Sequence, residues 1–220
     1  LSSQYVTALL LISSGVAGGQ SIFEKITIEG EVVSKPYIDI TINEMDKRGV
    51  SARWEGTRSI RIDTTRNYEA SKITIEGDAT AASYGASLAC IHRGQVTFTN
   101  LGSNTHQGDY RFFEILEHLG AEIIRDATST LIRGPSQLAP FESIDMQDMP
   151  DVALTLIALA PLLNKELCIS GVSSLHHKEC DRLECPANEM LKMGIGVTTT
   201  SDSIRIQPVS LENLREHLLT

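Results

Sequence analysis

The apolar and polar positions of the chain repeat as three copies of one pattern. Each copy starts with a polar turn that leads into a helix of small and apolar residues, at residues 2–10, 78–84 and 150–155. Ser, Thr and Asp at these starts are typical helix N-caps. A helix that is apolar nearly all round, such as 154–163, belongs inside a domain. The pattern therefore predicts an internal repeat built on buried helices.

Each first helix is followed by a strand, a second helix and a hairpin. The strands are predicted at 25–29, 95–101 and 166–172. Each second helix ends in a glycine that suits a left-handed C-cap, namely Gly49, Gly120 and Gly194. The hairpins are predicted at 50–54 with 59–63, 122–125 with 130–133, and 196–200 with 203–207.

A further strand is expected before the first helix of the later copies, at 72–76 and 143–146. The repeat is then a βαβαββ unit of about 70 residues, and such units must pack together to close a core. The first copy lacks this strand because the chain begins inside the motif. The fold class is α/β, with a boundary in the polar connector 63–70 that separates residues 1–68 from 69–220.

Composition limits the function classes. The chain is 41% hydrophobic and 21% charged, as in soluble globular proteins. A net charge of -9 argues against a nucleic-acid binder, and no run reaches the roughly 18 apolar residues of a membrane helix. The four cysteines form neither a CxxC pair nor a zinc spacing, which indicates free thiols in a reducing cytoplasm and no metal site.

The same corner of every copy carries hydrogen-bonding side chains. In the first copy they are Ser2, Ser3 and Gln4 with residues 34–37. In the second copy they are Asp78 with residues 103–107, and in the third they are Asp151 with residues 173–174 and 178–182. Stacked units face the same way, so the corners are expected to cluster. Serine pairs at helix starts suit a phosphate, and carboxylates suit acid–base work on a hydroxyl. The alternative is that all of them are helix caps.

The densest corner is Lys178-Glu179-Cys180-Asp181-Arg182. On one helical turn Lys178 and Arg182 would share a face and suit an anionic ligand. Glu179 would lie between these cations, where its pKa could be tuned for proton transfer. A solvated charged cap is the alternative.

Six stretches resemble one known family, the 5-enolpyruvylshikimate-3-phosphate synthases. They are Ser2-Ser3-Gln4-Tyr5-Val6-Thr7-Ala8-Leu9-Leu10, Val33-Ser34-Lys35-Pro36-Tyr37-Ile38-Asp39-Ile40-Thr41, Glu76-Gly77-Asp78-Ala79-Thr80-Ala81-Ala82-Ser83-Tyr84, Gln107-Gly108-Asp109, Pro150-Asp151-Val152-Ala153-Leu154-Thr155 and Lys178-Glu179-Cys180-Asp181-Arg182. They keep the order and near spacing of the family. The cysteine in the last stretch is most similar to fungal versions. A related transferase that acts on a UDP-sugar lacks the motif at 34–41.

The resemblance implies two domains, each made of three βαβαββ units with helices inside and sheets outside. Residues 1–68 would be the last unit of one domain, and 69–220 two units of the other. The implied reaction transfers the enolpyruvyl group of phosphoenolpyruvate to the 5-hydroxyl of shikimate-3-phosphate, a step of aromatic amino-acid biosynthesis, with no cofactor. No membrane or nucleic-acid partner is implied.

The resemblance also implies roles for individual residues. Shikimate-3-phosphate would be held by Ser2, Ser3, Gln4, Ser34, Tyr37, Asp151 and Lys178. Phosphoenolpyruvate would be bound by Gln4 and Arg182. Asp151 and Glu179 would transfer protons.

The chain also departs from the family. An upstream Lys-Ser segment, a glycine-rich turn with arginine, a later Asp-His-Arg segment and a last lysine have no counterpart. Ser174 replaces an asparagine, His176-His177 replaces Arg-Val, and Pro186 stands early in the next helix. We therefore expect half a site, with little activity unless the remaining segments of a larger polypeptide are supplied. A non-catalytic binding or regulatory descendant is the alternative.

Overall fold

The computed structural model describes residues 3–14, 22–32, 34–63, 65–139, 141–210 and 213. The chain divides into two compact units. Unit 1 is Leu1–Ile75 with His106–Gly108, and unit 2 is Glu76–Thr105 with Asp109–Thr220.

Unit 1 contains two helices and a three-stranded antiparallel sheet. In chain order the elements are α1 (Gln4–Ile12), β1 (Lys25–Thr27), α2 (Lys35–Asp46), β2 (Ala52–Glu55) and β3 (Ser59–Ile62). The strand order is β1-β3-β2. Leu10, Ile38, Met45 and Ile60 are fully buried between the helices and the sheet, so apolar burial holds this unit together.

The first half of unit 2 repeats the arrangement of unit 1. Its elements are α3 (Ala79–His92), β4 (Gln95–Phe98), α4 (Phe112–His118), β5 (Glu122–Arg125) and β6 (Thr130–Arg133), with a 3-10 turn at Gly108–Arg111 before α4. The strand order β4-β6-β5 is again first, third, second, and every pair is antiparallel.

The second half of unit 2 adds one strand to this plan. Its strands and α-helices are β7 (Ser143–Asp145), α5 (Ala153–Leu159), β8 (Leu167–Ser170), α6 (Glu184–Lys192), β9 (Val197–Thr199) and β10 (Ser203–Ile206). Short 3-10 helices lie at Pro150–Val152, Ala160–Leu162 and Ser173–His177. The strand order is β7-β8-β10-β9, with β7 parallel to β8.

The helices, strands and hairpins of the predicted repeat are found in the structure, except for the strand expected before the first helix of the second copy. The second hairpin has the predicted bounds, and the others agree to within one or two residues. Gly49, Gly120 and Gly194 all have positive φ at 86°, 99° and 74°, which glycine adopts without a Cβ penalty and which ends each second helix.

The strand predicted at 72–76 is wrong. These residues are exposed and form no strand, and Ile73 and Ile75 are 55% and 80% exposed. Alternating apolar residues stabilise a strand only when a neighbouring strand accepts its hydrogen bonds and a core covers one face. The strand predicted at 143–146 is confirmed as β7.

The polar connector stays with unit 1. Tyr68 donates a hydrogen bond to the Leu11 carbonyl at 3.1 Å, and the Glu69 N–H donates to the Arg48 carbonyl at 2.9 Å. The contacts therefore divide the chain after Ile75, a few residues beyond the boundary expected from the sequence. The assignment of residues 1–68 and 69–220 to two enolpyruvyl transferase domains stays a prediction.

Two helix predictions need correction. The helix predicted at 154–163 ends early, because Pro161 has no N–H to donate and the chain continues as the 3-10 helix Ala160–Leu162. Of the predicted caps, Asp78 accepts from the Thr80 N–H, but Ser3 makes no capping hydrogen bond.

Pro186 lies in the first turn of α6, where its missing N–H is tolerated.

Two helices keep apolar side chains at the surface. Tyr5, Leu9 and Ile12 of α1 are 66%, 41% and 49% exposed, and Tyr84 and Leu88 of α3 are both 55% exposed. The helices are therefore not enclosed on every side. In the described part of the chain, no helix is both long and apolar enough to cross a membrane.

Gly134 provides a test of how closely α3 packs on β6. A Cβ at this position would lie 2.1 Å from the Ala89 carbonyl oxygen, so backbone must shift. We expect Gly134→Ala to lower the free energy of unfolding by about 1–3 kcal/mol, measured by urea denaturation followed by circular dichroism. Gly94→Ala is the control, since a Cβ there meets nothing within 4 Å. Equal stabilities for the two variants would contradict this packing.

Candidate functional site

Four charged side chains of unit 2 form one carboxylate–cation cluster. Lys178 Nζ and Arg182 Nη1 each lie 3.2 Å from Asp151 Oδ1, and Arg182 Nη2 also donates to Glu179 Oε2. The side chains of Asp151, Lys178 and Arg182 are only 25–27% exposed, whereas Glu179 is 79% exposed. The cluster thus places two cations against one half-buried carboxylate, with a second carboxylate facing solvent.

Local structure positions the cluster from two separate segments. Asp151 lies in the 3-10 helix Pro150–Val152, whose Pro150 and Val152 are buried and fix its place at the start of α5. Lys178 and Arg182 follow the 3-10 helix Ser173–His177 and precede α6. The predicted helical turn at 178–182 is wrong, because Lys178 has an extended backbone (φ -88°, ψ -163°). The two cations meet through Asp151 instead.

The pKa of Glu179 is lowered from its ordinary value. The largest cause is a hydrogen bond from its own backbone N–H, followed by the nearby charge of Arg182 and the hydrogen bond from that guanidinium. A carboxyl group with a lowered pKa is ionised at neutral pH, so Glu179 has no proton to supply there and can only accept one.

Sequence reasoning missed the role of Asp181 and His176. His176 Nδ1 lies 2.7 Å from Asp181 Oδ2, while Asp181 Oδ1 accepts the backbone N–H groups of Leu183 and Glu184 at 3.0 and 2.9 Å. These bonds lower the pKa of Asp181 to about 2, with the Glu184 N–H as the largest cause. An Asp just before a helix, with Glu184 three residues later, is an N-cap signal that could have identified this anchor.

A second set, the serine–tyrosine cluster, lies in unit 1. Ser3 is the N-cap of α1, Gln4 is its first residue, and Ser34 is the N-cap of α2. The two helices contact each other, and the Tyr37 N–H donates to the Ser34 carbonyl at 3.1 Å. Ser2 lies outside the described residues. The described residues of this set therefore lie at the starts of two helices that pack against each other.

Ser34 has an unusual backbone. Its φ of 52° and ψ of 44° are left-handed, which is uncommon for a residue with a Cβ and often marks a functional site. The next residue, Lys35, lies 2.7 Å from Asp39 and 4.9 Å from the centre of the Trp54 ring. Trp54 Nε1 also donates to Asp39 at 2.7 Å. This network was missed, although the spacing of Lys35 and Asp39 by one helical turn was a usable signal.

The two clusters belong to different units. Their convergence on one rim, expected from the repeat, stays a prediction. Among the residues that the structure describes, no three His, Cys, Asp or Glu side chains come together in a way that could hold a metal ion. The chemistry available in unit 2 is anion binding and proton transfer, and in unit 1 it is hydroxyl and amide hydrogen bonding.

Comparison with known proteins supplies the family. The model for EPSP synthase (3-phosphoshikimate 1-carboxyvinyltransferase) matches residues 1–216. A 3-phosphoshikimate 1-carboxyvinyltransferase of Idiomarina loihiensis is 33% identical over 210 residues, and one of Shewanella baltica is 36% identical over 217 residues. The matches cover 95% and 98% of this chain and 48% and 50% of the relatives. This chain belongs to the EPSP synthase family.

Solved structures support the fold. Two structures of EPSP synthase from Acinetobacter baumannii superpose with TM-scores of 0.64 and 0.66 at 20% identity. They match 86% and 94% of this chain and 44% and 46% of the solved chains. The chain thus has an α/β fold of the EPSP synthase type and spans about half the length of the curated relatives it matches. Bacterial relatives dominate, so the comparisons do not support the expected fungal likeness.

Proposed function

We propose that this chain is part of an enzyme that transfers the enolpyruvyl group of phosphoenolpyruvate to the 5-hydroxyl of shikimate-3-phosphate, in the cytoplasm and without a metal or organic cofactor. Family membership supports the reaction class. The observation that carries the proposal is the contact of Asp151 with both Lys178 and Arg182. The reaction joins two anionic substrates and moves protons, and the cluster offers cations and carboxylates for both tasks.

The carboxylate–cation cluster would perform the chemistry. The 5-hydroxyl oxygen bonds to C2 of phosphoenolpyruvate and loses its proton, while C3 gains a proton. Phosphate then leaves C2 as C3 gives up a proton, which restores the double bond. Asp151 and Lys178 would hold the shikimate hydroxyls, and Asp151 and Glu179 would transfer protons. Arg182 would bind phosphoenolpyruvate, because a planar guanidinium matches a carboxylate or phosphate.

The serine–tyrosine cluster would bind shikimate-3-phosphate. Ser2, Ser3, Ser34 and Tyr37 would donate hydrogen bonds to shikimate-3-phosphate, and Gln4 would contact both substrates. The Ser3 side chain makes no capping hydrogen bond within α1, and this is compatible with a role in binding the substrate. Helix starts also favour a phosphate, because their N–H groups and dipoles point toward it.

We further propose that the βαβαββ units have the inside-out arrangement of the family and need the segments that the relatives have in addition. The exposed apolar side chains Tyr84 and Leu88 of α3 support this, as an apolar helix face is stable when another element covers it. Residues 1–68 would complete one domain and 69–220 would form part of the other.

A chimera tests the function. We define the completed enzyme as this chain joined to the segments of the Idiomarina relative that it does not match. We expect the completed enzyme to turn over both substrates. We expect the 220-residue chain alone to bind shikimate-3-phosphate only weakly, as measured by calorimetry. Lys178→Met should weaken that binding, whereas Lys192→Met, which alters an exposed ion pair with Glu189, should not.

The outcomes separate the alternatives. Turnover by the 220-residue chain alone would contradict the need for further segments. A folded but inactive completed enzyme, with the Idiomarina parent active, would instead indicate a non-catalytic binding or regulatory descendant.

Glu179→Gln tests the second carboxylate. We expect turnover of the completed enzyme to fall about 10²-fold, toward the lower end for acid–base residues, because Glu179 is largely exposed. The matched control is Glu189→Gln, since Glu189 is also exposed and pairs with a cation three residues away. An unchanged turnover number for Glu179→Gln would remove Glu179 from the proton-transfer scheme.

A further inference from the structure

The loop of residues 176–181, here the Lys178 loop, carries Lys178 and Glu179 and is closed at its base. His176 Nδ1 meets Asp181 Oδ2 at 2.7 Å. Beside this contact, the Arg182 N–H donates to the Leu175 carbonyl at 3.0 Å. One backbone hydrogen bond and one side-chain pair therefore join the two ends of the loop that places Lys178 opposite Asp151.

Both ring nitrogens of His176 face acceptors. Asp181 is fixed by the N–H groups at the start of α6 and is ionised above about pH 2, so its oxygen accepts and Nδ1 must donate. Nε2 lies 3.4 Å from the Thr200 carbonyl, in the turn between β9 and β10. A carbonyl also only accepts, so both contacts are hydrogen bonds only when the imidazole is protonated.

The charged groups around His176 favour the protonated imidazole. The hydrogen bond with Asp181 is the largest cause that raises its pKa, and Glu184 on α6 adds a smaller effect. On the third side, the β9–β10 turn presents the Thr200 carbonyl, and Asp202 of that turn binds the Ser173 N–H at 2.9 Å. The pKa of His176 is higher in the folded chain than in the unfolded chain, where it lies near 6.5. The contribution of the protonated ring to stability is therefore complete below about pH 6.5 and is lost as the pH rises through the folded pKa.

We propose that His176 is a positioning residue whose protonated ring clamps the Lys178 loop to α6 and to the β9–β10 turn, and so holds Lys178 and Glu179 in place for the substrate. The substrate part of this inference rests on the proposed function. The clamp makes binding at this cluster depend on pH, whereas an arginine at position 176, which stays charged at all accessible pH values, would not.

Amide exchange of the ligand-free 220-residue chain tests the clamp. We expect the protection factor of the Arg182 N–H to fall about threefold to tenfold between about pH 6 and pH 8.5, because Nε2 loses its hydrogen bond to the Thr200 carbonyl and the bond from Nδ1 to Asp181 loses its positive charge. His176→Arg should keep its protection at both pH values. His176→Gln should be poorly protected at both, and His177→Gln, which alters the exposed neighbour, should behave like wild type. The same pH response in wild type and His176→Arg would overturn the proposal.

Calorimetry with shikimate-3-phosphate tests the link to function. The ionisation of the ligand itself is common to all variants and cancels in the ratio of dissociation constants. We expect wild type to lose about threefold to tenfold more affinity than His176→Arg between these pH values. Equal losses would overturn the link between the clamp and binding. If no variant binds while the exchange results hold, the clamp stands and the proposed binding function fails for this chain.

Discussion

Replacing Asp151 with asparagine is expected to lower turnover of the completed enzyme by about 10²- to 10⁴-fold. Asparagine keeps the shape of aspartate but removes the charge that both cations share. Lys178 and Arg182 each approach Asp151 Oδ1 at 3.2 Å, and the neutral amide oxygen of asparagine would attract them less than a carboxylate oxygen does. The variant thus loses a proton acceptor and the anchor of two binding cations together.

The measurement is the split between kcat and KM for each substrate. Loss of the proton acceptor lowers kcat, and displaced cations raise KM, so we expect both to change. Asp148→Asn is the control, because Asp148 is 62% exposed and forms an ion pair with Arg111 at 3.3 Å on the same stretch of chain. A kcat for Asp151→Asn close to that of the control would exclude Asp151 from the proton-transfer scheme.

The repeat was predictable because its signals are local. A glycine after each second helix needs only its own φ to be favourable, and Gly49, Gly120 and Gly194 adopt it. The strands β5 and β6 were located to the residue. The turn residues Asp126-Ala127-Thr128-Ser129 separate two runs that contain β-branched residues, and Asp126 caps the turn by accepting the Thr128 and Ser129 N–H groups. The signals for such elements lie within a few residues of each other in the sequence, so the sequence displays them.

The charged corner was only partly predictable. The spacing of Lys178 and Arg182 suggested a shared helical face, but the chain between them is not helical and both point to Asp151, which lies far away in sequence. The strand expected at 72–76 failed for a similar reason, as a strand depends on a neighbour that the local pattern does not specify. Which residues meet across the fold is set by packing, and a single sequence does not display it.

Phe113→Ala is expected to destabilise unit 2 by about 3–5 kcal/mol. Phe113 on α4 is fully buried, stacks with Phe98 at 5.8 Å between ring centres and meets Tyr110 edge-on at 4.9 Å. Truncation removes these ring contacts and leaves a cavity that the surrounding helices fill only in part. The free energy of unfolding of a native domain is about 5–15 kcal/mol, so the loss of this one ring would remove a large share of the stability of unit 2.

Two probes of urea unfolding separate the units in this test. The only tryptophan, Trp54, lies in unit 1, so its fluorescence follows that unit, while circular dichroism follows both. We expect Phe113→Ala to move the unit 2 transition to lower urea and to leave the Trp54 transition in place. Ile124→Ala is the control. Because the Ile124 side chain is 49% exposed, this change should lower the free energy of unfolding by less than about 0.5 kcal/mol. A Trp54 transition that moves with the mutation would show that the two units unfold as one, and an unchanged stability would contradict the packing of Phe113 in the core.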